Sequence, residues 1–239
     1  NGYGGIFTDR FEPVNQRLDG FPGSYWKHYN NPTVLNSSRY GNKTINQNVN
    51  EVLKSIKNDI INIEGVAAIL IEPIQCTYGD HYFTNEFFEG IREISSELDI
   101  PLIFDEVQTG FGATGKIWYF ENLKIVPDIL VFGKKTQLSG IMANKKFSKI
   151  FNKPIRLEVT WDADLIDMVR CKYVIKAYKE YKILQNVKDR SKQLIQGLEG
   201  IRNLKNLRNA GLLVAFDLDS EILRDKFVKD YVYPMIRGH

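Results

Sequence analysis

Three short apolar runs in this chain of 239 residues each end in charge. Val66–Ile71 is followed by Glu72, Leu102-Ile103-Phe104 by Asp105-Glu106, and Ile129–Phe132 by Gly133-Lys134-Lys135. If the runs are neighbouring strands of a parallel sheet, their carboxyl ends meet where open α/β folds bind ligands. Two carboxylate ends and one amine end then make a polar site over an apolar floor. A lysine that must act as a nucleophile needs a lowered pKa, which burial or an adjacent cation supplies, and Lys135 adjoins Lys134. A carboxylate beside a pyridine nitrogen would keep that nitrogen protonated. At about 3 Å and an effective dielectric near 20, the attraction is on the order of 5 kcal/mol before desolvation. Pyridoxal phosphate chemistry uses both groups, a bonded lysine and an acid on the ring nitrogen. The same residues also fit a structural ion pair at the sheet edge, and spacing alone leaves both open.

A competing motif lies between two of these runs. Gly110-Phe111-Gly112-Ala113-Thr114-Gly115 is a literal G-x-G-x-x-G after a strand, the pattern of dinucleotide-binding turns. Its surroundings oppose that use. Asp105 and Glu106 precede it where a pyrophosphate wants positive potential, and Asp128 opens the next strand instead of closing it. The three histidines, His28, His81 and His239, are scattered and have no metal-ligand spacing.

The elements that would hold these ends follow from periodicity. Val49, Leu53, Ile56, Ile60 and Ile63 recur at helical spacing, with Gly65 at a natural stop. Thr84 is positioned to cap a helix carrying Phe87, Phe88, Ile91, Ile94 and Leu98. A short helix over about 116–123 is expected between the second and third strands. Continuous apolar runs suit strands buried on both faces, and the alternation of strand and helix is that of a parallel α/β sheet. Beyond Trp161 the pattern predicts a long amphipathic helix from Leu165 to Tyr181, another from Leu184 to Leu198, a strand over Leu212–Leu218 and a last helix near Leu223–Lys229. The expected division is a large α/β cofactor domain over 1–163 and a linking helix with a small α+β domain over 164–239. Residues 1–50 have no sustained period, and Phe21, Tyr25 and Trp26 are expected to pack over a neighbouring surface.

Composition narrows the class. Hydrophobic residues at 43% and charged ones at 26% belong to a globular chain. Lys and Arg number 32 against 29 Asp and Glu, a net charge of +3, with no concentrated basic face for nucleic acid. No apolar run is long enough to cross a bilayer. Two cysteines, Cys76 and Cys171, oppose a disulfide framework and fit a reducing compartment, so a cytoplasmic location is expected.

The ordered run Leu102-Ile103-Phe104-Asp105-Glu106-Val107-Gln108-Thr109-Gly110, then Thr114-Gly115, Trp118 and Pro127 to Lys134, resembles the class III aminotransferases. Gly133-Lys134-Lys135-Thr136-Gln137 with Gly140, Gly79-Asp80, Phe87-Phe88 and Asp167-Met168-Val169-Arg170 resemble the lysine 6-aminotransferase branch. The likeness is strong from Glu64 to Arg170 and weaker to Leu218. It implies fold type I of the pyridoxal-phosphate enzymes: a mostly parallel sheet with helices on both faces, plus a small α+β domain. It also implies transfer of the terminal amine of L-lysine to 2-oxoglutarate, yielding 2-aminoadipate 6-semialdehyde and glutamate. Ornithine and 4-aminobutyrate are the alternative donors. Lys134 would bond to the cofactor and later move the proton. Asp105 would face the ring nitrogen, Val107 would pack on a ring face, and Gln108 would reach the phenolic oxygen or the substrate. In a homodimer, Thr160 would touch the phosphate of the partner subunit's cofactor. Glu72 matches a family position near the site but is given no role.

Departures from the family pattern matter. A gating Gly-Glu pair is replaced by Cys76-Thr77, and Thr-x-Gly-Gly by Thr160-Trp161-Asp162-Ala163, which brings a carboxylate toward a phosphate site. The chain starts after the family's Phe-His-Gly-Arg stretch and stops before its C-terminal substrate-pairing Arg. It is therefore expected to be incomplete at both ends, and a remnant without catalysis is the alternative to an active enzyme.

Overall fold

Thr44 starts the first helix by capping chemistry. Its hydroxyl accepts from the Gln47 N–H while the Gln47 side chain accepts from the Thr44 N–H, a reciprocal box at the entry to α1 (Ile45–Asn62). Thr84 does the same job more simply for α2 (Asn85–Glu97), accepting from Phe87 N–H. The computed structural model describes residues 27–29, 31–33, 44–76, 80–152, 164–201 and 204–218. The expected contact by Phe21, Tyr25 and Trp26, residue Thr160 and the helix near Leu223 lie outside those residues. In the described part, α1 and α2 meet closely at Gly90, where Leu53 fills the space a side chain would take.

Strands β1 (Ile69–Ile71), β4 (Leu102–Asp105) and β5 (Ile129–Phe132) are the three apolar runs, and all pair in parallel. Between β1 and β4 lie a small hairpin, β2 (Ile74–Gln75) with β3 (His81–Tyr82), and then α2. A fourth strand, β6 (Gly140–Ala143), returns antiparallel, so the sheet order is β1-β4-β5-β6. Strands β4 and β5 are thus interior, with β4 between β1 and β5. Leu102 and Phe104 are fully buried, and Phe104 meets Phe88 of α2 with ring centroids 5.7 Å apart. The core spreads from there through Val49, Ile56, Ile74, Phe87 and Ile91.

Three expectations need correction. β1 is three residues long, lies at the sheet edge and exposes 54% of Leu70, so it is not buried on both faces. The helix expected over 116–123 is a four-residue 3-10 turn, Tyr119–Asn122, because a buried carboxylate caps its N–H groups (below). The long helix α3 (Leu165–Glu180) forms, but it buries none of its residues, and Leu165, Ile166 and Tyr173 are each more than 60% exposed. Its apolar residues are distributed around the helix and do not form one stripe.

The second long helix, α4 (Ile183–Glu199), buries Val187 and Ser191. After it, β8 (Leu213–Leu218) is the expected strand. Its partner β7 (Leu204–Ala210) was not expected, since Leu-Lys-Asn-Leu-Arg-Asn-Ala lacks strict alternation. A bulge between Lys205 and Arg208, with Asn206 in the left-handed region, explains the broken period. This hairpin is tied to the small hairpin β2-β3 and to the loop after β4: Tyr82 OH donates to Leu213 O at 3.1 Å, and Leu212 N–H donates to Ala113 O at 2.9 Å.

Candidate active site at the strand ends

Register decides which charges meet. Asp105 pairs with Val131 across β4 and β5, and Glu106 N–H donates to Val131 O at 2.9 Å as the last rung. Beyond it the strands separate, β4 into Val107-Gln108 and β5 into Gly133-Lys134. Asp105 and Lys134 therefore sit at adjacent strand ends, as the sequence predicts.

Asp105, which ends β4, and Glu106, the next residue, take opposite directions because extended side chains alternate. Glu106 is 1% exposed and accepts from Tyr119 N–H at 2.6 Å, Phe120 N–H at 3.0 Å and the Thr109 hydroxyl at 3.1 Å. Burial pushes its carboxyl above the ordinary range, and those donors pull against that shift. Glu106 fastens the following loop; it does not face the strand-end crevice. Asp105 is half-buried, and one of its oxygens accepts from Val107 N–H at 3.0 Å. No ion pair joins Asp105 to Lys134, or to any other cation, among the described residues. The structural ion pair that the sequence left open is not what these residues form.

The glycine motif has a packing explanation. A Cβ on Gly110 would lie 2.7 Å from Glu106 O and against the Trp118 ring. Gly112 and Gly115 have φ of +92° and +82°, and Tyr178 and Leu184 occupy the space beside Gly112. Phe111 N–H donates to Ile117 O at 2.6 Å and closes the loop on itself. Side chains of α3 and α4, Tyr178, Leu184 and Lys188, pack against the loop at Gly112 and Gly115.

Lys134 begins a 3-10 turn, Lys134–Thr136, with φ of +53°, and Gln137 ends it with φ of +56°. Two non-glycine residues in the left-handed region within four positions store strain, about 1–3 kcal/mol each, of the kind that gathers at functional sites. Lys134 is exposed, whereas Lys135 is half-buried and donates from Nζ to Gln108 O at 2.6 Å. Burial first, and then the charge of Lys134, hold the Lys135 ammonium below its usual pKa. Cys76 lies nearby with its thiol pushed up to about 12, by burial first and then by Asp80 and Glu72. Val107 and Gln108 are half-buried at the same end of the sheet, while Thr77 and Asp162 lie outside the described residues.

A separate groove of about 500 Å³ runs between Gln137 and the first turns of α3, lined by Leu165, Ile166, Val169 and Tyr173. Sequence reasoning missed both the division of labour between Asp105 and Glu106 and the reach of Lys135. Strand alternation was the available signal for the first.

Residues 11–233 match the family described as aminotransferase class-III. The chain belongs to the class-III aminotransferases. Among its relatives, the L-lysine-epsilon aminotransferase of Mycobacterium tuberculosis is 36% identical over 173 residues, which are 69% of this chain and 38% of that protein. The 4-aminobutyrate aminotransferase of Dictyostelium discoideum is 41% identical over 124 residues, 51% of this chain and 25% of that protein. The structure of lysine aminotransferase from M. tuberculosis in the internal aldimine form superposes with a TM-score of 0.78 at 29% identity, covering 92% of this chain and 54% of that one. Fold type I is thus the architecture of this class-III chain, and the part compared spans about half or less of each relative's length.

For a class-III aminotransferase the test is whether these residues suit pyridoxal phosphate. They do. A half-buried carboxylate without a cation among the described residues sits one strand from an exposed lysine, with an apolar Val107 and an amide-bearing Gln108 between.

Proposed function

We propose that this chain carries the lysine-bearing half of a pyridoxal-phosphate-dependent transaminase that takes the terminal amine of L-lysine and passes it to 2-oxoglutarate. The observation that carries the proposal is Asp105, without a cation partner among the described residues, one strand away from Lys134. Pyridoxal phosphate, when bound, supplies an electron sink that lets an amino group leave one substrate and join another. Asp105, one oxygen of which accepts from Val107 N–H, would hold a proton on the ring nitrogen with its carboxylate. Val107 supports a ring face, and Gln108 offers its carboxamide to an oxygen of cofactor or substrate. Lys134 would be the covalent anchor for the cofactor, and its Nζ would act as the general acid and base. Thr160 is proposed to reach the phosphate held by a second copy in a homodimer. Support for a homodimer comes from α3, whose Leu165, Ile166 and Tyr173 stay exposed and none of whose residues is fully buried among the described residues. The boundary between a large domain over 1–163 and a smaller one over 164–239 is proposed at the entry to α3. A cytoplasmic location is proposed from the two free cysteines.

Lysine is favoured as donor by the relatives that are lysine aminotransferases. The 4-aminobutyrate relative keeps a second ω-amine donor in view. The full-length protein, supplied with pyridoxal phosphate, 2-oxoglutarate and lysine bearing heavy nitrogen at its terminal amine, is expected to yield labelled glutamate by mass spectrometry. Label transfer from ornithine or 4-aminobutyrate, with none from lysine, would overturn the donor assignment.

A further inference from the structure

Asp105 lies within the ladder, but past the last rung at Glu106 and Val131 the ladder no longer holds the loop of Val107-Gln108 or the turn bearing Lys134. Something else must set their separation, since a shift of about 1 Å in such a site costs on the order of a hundredfold in rate. The hydrogen bond that crosses the gap in the described residues comes from the side chain of Lys135, whose Nζ donates to the backbone carbonyl of Gln108 at 2.6 Å. A 3-10 turn has three residues per turn, so consecutive side chains diverge by about 120°. This is why Lys135 reaches inward to the β4 loop while Lys134 stays exposed.

We propose that Lys135 is a positioning residue, a tether that locks the turn carrying Lys134 to the loop carrying Val107 and Gln108, which follows directly on Asp105. The proposal rests on the assignment of Lys134 and Asp105 to the cofactor. Three further features support it. Lys135 is half-buried, an unfavourable place for an ammonium unless a partner compensates, and the Gln108 carbonyl supplies one. Its depressed pKa, caused first by burial and then by Lys134, marks the same desolvation. The turn has left-handed residues at both ends, Lys134 and Gln137, so it needs an external restraint to persist. Gln108 also gains from the contact, because anchoring its carbonyl fixes the direction in which its side chain leaves the loop.

The test compares Lys135→Met, which keeps the stem and loses the donor, with Lys135→Arg, which keeps a donor, in the full-length protein. The first readout is amide hydrogen exchange of the peptide spanning residues 106–112 in cofactor-free protein. The second is the rate at which borohydride fixes pyridoxal phosphate to Lys134. Lys135→Met is expected to speed exchange in that peptide by about tenfold, leave exchange in α1 and α2 unchanged, and slow fixation at Lys134 by about tenfold or more. Lys135→Arg is expected to stay within about threefold of the parent in both. Unchanged exchange and fixation in Lys135→Met, or an Arg variant no better than Met, overturns the tether. A parent protein that fixes no cofactor at Lys134 overturns the assignment of the site, and the exchange readout then still reports on the tether by itself.

Discussion

Asp105 and Glu106 are chemically alike and adjacent, yet one is a candidate cofactor partner and the other a loop fastener. The difference is the two-residue period of a strand, which sends one carboxylate to the crevice and the other to three buried donors. The two predict different failures. Asp105→Asn retains an oxygen for the Val107 N–H, so the fold should persist by circular dichroism. Its transaminase kcat/KM should fall by about a hundredfold or more, because the charge opposite the ring nitrogen is gone. Glu106→Gln should do the reverse. A carboxamide keeps one oxygen and turns its NH2 group toward the N–H of either Tyr119 or Phe120, which donate to different oxygens of Glu106, and that unmet donor should cost about 1–3 kcal/mol of stability by urea titration. If Glu106→Gln is as stable as the parent, Glu106 does not hold the loop. At this scale Asp105 and Lys134 were legible from sequence, since each closes an apolar run. Lys135 was legible only as a charge beside Lys134. Its reach depends on two left-handed non-glycine residues, which no residue type announces.

The strands depend on a second charged cluster at their other ends. Asp128, 7% exposed at the start of β5, accepts from Leu102 N–H at 3.0 Å and pairs with Arg92 at 2.8 Å and Lys146 at 3.2 Å. It thereby links β4, β5, α2 and the segment after β6. Burial alone would raise the Asp128 carboxyl, but these donors together hold it below its ordinary value of 3.8. A carboxyl depressed in the folded state adds stability that is complete above its unfolded pKa and is lost as pH falls through the folded value. Asp128→Asn is therefore expected to cost about 2–3 kcal/mol at neutral pH, at the low end for a broken ion pair because Lys146 is half exposed. The deficit should shrink below about pH 4 as the parent loses the same interaction. A deficit that stays constant from neutral pH into acid would contradict this account of Asp128. Helices α1 and α2 and the central strands were readable as elements because caps and apolar period agree there. The hairpin β2-β3 and strand β6 were not, being two to four residues long, and β7 is too polar and too bulged to carry a period.

Across the whole molecule, apolar side chains remain exposed at Leu70 on one sheet edge, Ile141 and Met142 on the other, and along α3. Patches of this extent mark surfaces that bind other chains. The chain Asn1–His239 alone is expected to self-associate at micromolar concentration in sedimentation velocity, and Val169→Glu with Tyr173→Glu to reduce that association. A monomer unaffected by both substitutions would leave α3 without a role in assembly. The central claim, however, concerns one nitrogen atom. The full-length protein should be incubated with pyridoxal phosphate, reduced with borohydride, digested and mapped by mass spectrometry. The account predicts a pyridoxyl group on Lys134 with Lys135 unmodified. A label on Lys135, or no label on either in a folded protein, would contradict it.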